Sequence, residues 1–104
     1  MTRSANPLRG EASFKIDDKA LILRPTFEKL VAAEEELGSL FELVERASRG
    51  ALTLAEITGL LWHCLSVDER PEREVVGANV VALGLVKATA PIRVILAQAL
   101  QGKA

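Results

Sequence analysis

The stretch Glu11-Ala12-Ser13-Phe14-Lys15-Ile16-Asp17-Asp18-Lys19-Ala20-Leu21-Ile22-Leu23-Arg24-Pro25-Thr26 changes pattern twice and thereby sets the architecture. Phe14 and Ile16 alternate with Ser13, Lys15 and Asp17, the period of a half-buried strand. Asp17-Asp18-Lys19 supplies turn chemistry, although not the stronger Asn-Gly or Asp-Gly pair. Ala20 to Leu23 forms a second, more apolar strand. Pro25 has no N–H for a ladder and biases Arg24 towards extended backbone, so the strand stops there. Thr26 is then placed to cap a helix.

Downstream the period lengthens to that of helices. Over 26–37, Phe27, Leu30, Val31 and Leu37 share a face, Glu28, Glu34, Glu35 and Glu36 face solvent, and Gly38 closes the helix. Ser39 and Glu42 have capping-box spacing for a helix over 39–49 that buries Leu40, Phe41, Val44 and Ala47. Thr53 and Glu56 repeat that spacing before the cleanest stripe, Leu54, Ile57, Leu60, Leu61, Cys64 and Leu65, over 53–65. Ser66 to Arg70 reads as a loop. Pro71 suits the first turn of a helix over 71–83 with Val75, Val76, Val80 and Leu83, ended by Gly84. Its paired valines are mediocre helix formers and leave a strand open. A last helix over 86–101 turns Ile92, Ile95, Leu96, Ala99 and Leu100 inwards and stops at Gly102. Either Thr89 caps it with Pro91 in the first turn, or it starts near Leu85 and bends at Pro91. The fold class is α+β, mainly α: an N-terminal β-hairpin over 11–24, then a compact bundle of four to five short helices. Residues 1–9 read as a flexible lead-in and 10–102 as a single domain.

At 104 residues the chain has room for one core. A domain of this size buries roughly 60–70% of the surface its unfolded chain exposes. Phe14, Phe27, Phe41 and Trp62 are its only aromatic residues, so the core is built from Leu, Val, Ile and Ala. A net charge of −1 leaves no basic footprint for nucleic acid. No apolar run reaches the ~18–20 residues of a membrane span, and Met1 to Gly10 lacks the apolar stretch of a secretory signal. Cys64 is the single cysteine, which excludes an internal disulfide and fits a cytoplasmic location.

Little in the chain points to chemistry. His63 and Cys64 are adjacent, so on a helix they diverge by about 100° and make no nucleophile–base pair. With one His, zinc would need carboxylates or a second subunit. The stripe places His63 on the solvated side. Glu34-Glu35-Glu36 reads as a solvated face. The Asp68–Glu74 segment lacks the alternating oxygen ligands and central Gly of a calcium loop. The glycines do not cluster as phosphate loops demand. The reading is not an enzyme, with no cofactor and no metal. Leu54-Ala55-Glu56-Ile57 followed by a helix from Pro71 resembles a helix-turn-helix, but Arg73 and Asn79 among acids and valines make a poor groove reader.

Apolar surplus is the more informative signal. Val75, Val76, Val80, Val81, Leu83, Leu85, Val86, Val94 and Ile95 exceed what one buried stripe per helix uses. Trp62, on the flank of its stripe, either covers the core edge or anchors a partner. The candidate partner-binding residues are Trp62, Val75, Val80, Leu83, Leu85 and Ile95.

The order of these motifs resembles a known family. Arg9-Gly10-Glu11, Thr26-Phe27-Glu28-Lys29-Leu30, Glu34-Glu35-Glu36-Leu37-Gly38, Ser48-Arg49-Gly50, Leu52-Thr53-Leu54-Ala55-Glu56-Ile57, Glu74-Val75-Val76-Gly77 and Leu83-Gly84-Leu85 recur together in the gene transfer agent family of small phage-like tail proteins. These are treated as tail assembly chaperones and are also labelled tail tube proteins. The chain departs from the pattern at Lys19, where a turn glycine is common, and at Pro91. The resemblance implies a tail assembly chaperone, active in the cytoplasm, that binds a tape-measure protein, a tail tube protein or both, with possible self-association and no nucleic-acid or membrane partner. The alternatives are a structural tube component kept in the particle and a small helical DNA-binding regulator.

Overall fold

The computed structural model describes residues 11–67 and 69–101. The lead-in, Asp68 and the stop at Gly102 lie outside the described residues. Strand β1 (Ala12–Ile16) pairs antiparallel with β2 (Lys19–Leu23), with Phe14 opposite Leu21 and Ile16 opposite Lys19. The alternation expected for β1 is realised: Ala12, Phe14 and Ile16 are buried and Ser13 and Lys15 exposed. Asp17 and Asp18 have φ of 48° and 69°, the two positive values a type I′ hairpin needs. Asp tolerates that region better than most residues. Asn79 holds the turn from outside: its Oδ1 accepts from the Asp17 N–H at 3.1 Å, while its Nδ2 donates to the Val75 carbonyl at 2.8 Å. One step beyond the ladder, buried Glu11 accepts from Arg24 Nε at 2.9 Å.

The free edge of β2 is covered by the chain around Leu65, where the sequence suggests a plain loop. The Arg24 N–H donates to the Cys64 carbonyl at 2.7 Å and the Ser66 N–H to the Ile22 carbonyl at 2.8 Å. Leu23 and Leu65 form an antiparallel bridge. An edge strand is thus paired rather than left as a template for another chain.

Among the described residues five helices follow: α1 (Phe27–Leu37), α2 (Leu40–Ser48), α3 (Leu54–Cys64), α4 (Arg73–Leu83) and α5 (Leu85–Gln101). Thr26 caps α1 by accepting from the Lys29 N–H. The Thr53–Glu56 capping box forms completely, with Thr53 Oγ1 accepting from the Glu56 N–H and Glu56 Oε1 from the Thr53 N–H. The Ser39–Glu42 box does not form; Glu34 Oε2 reaches across the α1–α2 link to the Leu40 N–H at 3.0 Å instead. Helix α4 starts two residues later than the sequence suggests. The Pro71 carbonyl is taken by Trp62 Nε1 at 2.9 Å, and extended Glu72 becomes the N-cap. The paired valines are helical, which removes the strand alternative.

Helix α5 runs unbroken through Pro91 from Leu85, the second of the two starts considered. Thr89 is therefore not a cap; its hydroxyl donates back to the Val86 carbonyl at 2.6 Å. Pro91 leaves the Lys87 carbonyl without its helical donor. Between α4 and α5 the chain turns by 116° at Gly84, whose φ of 102° suits glycine. Helix α5 packs against α2, α3, α4 and β1. The core around it contains Phe14, Leu23, Leu43, Leu60, Leu61, Val76, Ile92 and Leu96. Gly59 lets α1 approach α3, since a Cβ there would meet both Leu37 methyls at 3.2 Å.

Helical phase explains the apolar residues that the sequence reading misplaces. Phe27 is 82% and Phe41 74% exposed. The buried side of α1 is Ala33 with half-buried Leu30 and Leu37, and Phe27 lies about 90° from its centre at 100° per residue. In α2 the buried pair is Leu43 and Ala47, and Phe41 lies about 100° off the stripe they share with Leu40 and Val44. Leu54 and Leu100, also expected inside, are exposed.

Glu56 serves two elements at once. Besides its cap bond it accepts from both Arg46 guanidinium nitrogens, Oε1 from Nη1 at 2.6 Å and Oε2 from Nη2. Arg46 beside it holds its carboxyl below the usual range. Glu56→Ala removes the reciprocal cap and the α2–α3 tie together. We expect a loss of about 1–2 kcal/mol, more than an isolated cap deletion, read by urea unfolding; a change below ~0.5 kcal/mol contradicts this role.

Candidate partner interface

Two of the six candidate residues are not surface residues. Val80 and Ile95 are both 0% exposed. Val80 lies one turn beyond Val76 on the buried side of α4, and Ile95 continues the buried Ala88, Ile92 and Leu96 side of α5. Leu83 and Leu85 are exposed on either side of the Gly84 corner, together with Val81 and Val86. Val75 is half-buried and packs on the core.

Trp62 is a half-buried core-edge residue. Its N–H is already spent on Pro71, and the guanidinium carbons of Arg70 and Arg73 each lie 4.5 Å from its ring centroid. Much of its recognition capacity is used within the chain. Beside it, His63 is only 7% exposed, against the solvated position expected from the stripe. The reason is α1: Glu36 comes over the ring, with Oε1 2.8 Å from His63 Nε2, and pairs with Arg73 through Oε2. The hydrogen bond from Arg73, then that from His63, lowers the Glu36 carboxyl to about 2. Glu36 is thus a tie between α1, α3 and α4 rather than a member of a free acidic face. Burial pushes the Cys64 thiol up to about 12, so the Cys64 side chain is a small core hydrophobe and not a nucleophile.

The apolar surface gathers elsewhere. Three adjoining hollows of about 410, 130 and 130 Å³ run along the side of α5 next to α2. Val44 and Leu100 line the first two, and Ala47 and Arg93 line the first and third. Phe41 stands at one end and Val86, 87% exposed, at the other. Of the surplus apolar residues read from the sequence, Leu85 and Val86 line this groove; Phe41 and Leu100 do not appear in that reading as surface. Placing each helix wheel on its buried centre would have found both.

The features so far define a small α+β protein with a paired hairpin, a five-helix body and an open apolar groove beside its last helix. The model of the family described as phage tail tube protein, GTA-gp10, matches residues 9–102. The chain belongs to this family of phage tail proteins, in agreement with the motif order. Neither the curated proteins nor the solved structures yield a match to the chain.

Two outcomes follow from this geometry. The Glu36 carboxyl is lower in the folded chain than its ordinary value of 4.5, so its contribution is complete above that value and is lost as pH falls from about 4.5 towards 2. Glu36→Gln should flatten the dependence of stability on pH in this window, measured by urea midpoints; an unchanged slope contradicts the tie. Separately, Val80→Asp should abolish cooperative folding by burying an unpaired charge. Val86→Asp should shift stability by no more than about 0.5 kcal/mol. Thermal melts of the two variants test the division between core and surface.

Proposed function

We propose that this tail protein acts as an assembly chaperone, holding an apolar helix of the tape-measure protein until tube subunits replace it. The observation that carries the reading is the groove: an open channel between α2 and α5 lined by Val44, Ala47 and Leu100 and rimmed by Phe41 and Val86. Long apolar helices aggregate in water because their faces have nowhere to go. A helical groove offers such a face a temporary partner. Family membership supports a role among tail proteins and leaves little reason to retain the DNA-binding alternative. Transient holding demands modest affinity, and a narrow groove meets that demand better than an extensive interface does.

The test is co-expression with the tape-measure protein of the same element. The tagged chain should retain the tape-measure protein, and a Val86→Asp/Leu100→Asp variant with an unchanged thermal melt should lose at least ~90% of it, as one charge in an apolar contact costs more than a tenfold factor. Quantitative mass spectrometry of finished particles should find the chain absent. Stoichiometric copies in the particles would instead identify a retained tube component.

A further inference from the structure

The groove carries more than apolarity. Along α5 the exposed residues Val86, Ala90, Arg93, Ala97 and Leu100 fall on one line. They recur at steps of four and three, the seam pattern of helices that pack side by side. Val86 and Leu100 are each seven residues from Arg93. At 1.5 Å per residue the line spans about 21 Å, or four helical turns. The small side chains of Ala90 and Ala97 allow a second helix to come near the lower end of the usual ~8–10 Å interaxial range.

Arg93 is the anomaly in this line. It borders two of the hollows and makes no ion pair among the described residues. Elsewhere Arg24, Arg46, Arg49 and Arg73 each pair with a glutamate. An unpaired guanidinium at the centre of an apolar seam costs desolvation if an apolar helix covers it. A carboxylate placed opposite removes that cost and fixes the register, as a single polar seam position does in coiled coils.

We infer that the α5 seam seats one helix of a different tail polypeptide, about four turns long, apolar at both ends and bearing a carboxylate at its middle that pairs with Arg93. A second copy of this chain is a poor occupant. A parallel pairing along this line, or an antiparallel one that uses its full length and so centres on Arg93, sets Arg93 against Arg93, with like charges in a partly desolvated contact. The inference rests on the chaperone reading for the identity of the partner and adds its chemistry.

The probes are three labelled, end-capped helical peptides of Leu, Ala and Lys, of about eighteen residues to cover the four turns, differing only in Glu, Gln or Lys at the central seam position. Binding to the full chain is followed by fluorescence anisotropy at low and high salt. The Glu peptide should bind about tenfold tighter than the Lys peptide, with Gln between them. Arg93→Glu should reverse the order, and salt should compress it. Circular dichroism confirms that the exposed substitution leaves the fold intact. Equal affinities, no binding, or an order unchanged by Arg93→Glu would overturn the inference, as would a concentration-dependent dimer abolished by that substitution. Retention of the tape-measure protein by Arg93→Glu at the wild-type level would overturn the charge match and leave the chaperone reading standing. Charge-selective peptide binding without any hold on the tape-measure protein would do the reverse.

Discussion

Helix α5 is the axis on which the rest of the molecule is arranged, and it is too long for its neighbours to enclose. Its inner side, Ala88, Ile92, Ile95 and Leu96, is sealed by α2, α3, α4 and β1. On its outer side α2, nine residues against seventeen in α5, flanks only part of the length. At 1.5 Å per residue that is about 14 Å against 26 Å. Gly50, Leu52 and Ile57 lie opposite Leu85 and Val86 at the start of α5. The groove runs along this side of α5, and contiguous exposed apolar lining of this kind is what marks an interaction surface.

A second layer of the structure is electrostatic. Three glutamates each join elements that hydrophobic contact alone would leave loosely oriented. Glu11 ties the mouth of the hairpin to Arg24, Glu56 ties α2 to the start of α3, and Glu36 ties α1 to α3 and α4. Each carboxylate lies where an arginine or a cap supplies its hydrogen bonds, which is the condition for a partly buried charge not to destabilise. A core nearly devoid of aromatic side chains has few large shapes to fix its helix orientations. Directional ion pairs supply that specificity.

The elements are legible from local signals because their causes are local. The strand period around Phe14, the Pro25 stop, the Thr26 cap and the Thr53–Glu56 box all depend on neighbours within four residues. What failed depends on other helices. By spacing alone Phe27 and Phe41 read as inward, yet the buried side of each short helix lies at Ala33 or at Leu43 and Ala47. His63 became buried only because Glu36 arrives from a different helix. For the candidate site, Leu83, Leu85 and the surplus Val86 were legible as apolar excess. Val80 and Ile95 were not separable from them, since a helix with apolar residues on two sides does not reveal which side its neighbours will cover.

The proposed chaperone role requires that the chain not become a permanent subunit. A tube component must form contacts that persist, which requires extensive, well-packed surface on more than one side. Among the described residues the exposed large apolar side chains are Phe27, Phe41, Leu54 and those of the α4–α5 corner and α5, and the hairpin edge that would extend into a neighbour is paired to Leu65. A helix lying in such a groove keeps its opposite face free. Displacement can then begin at either end, turn by turn, without first breaking the whole contact. On the proposed pairing, Arg93 would add to this reversibility: a charge pair at the seam would select the partner and its register, while its net contribution to affinity stays small because desolvation offsets the attraction.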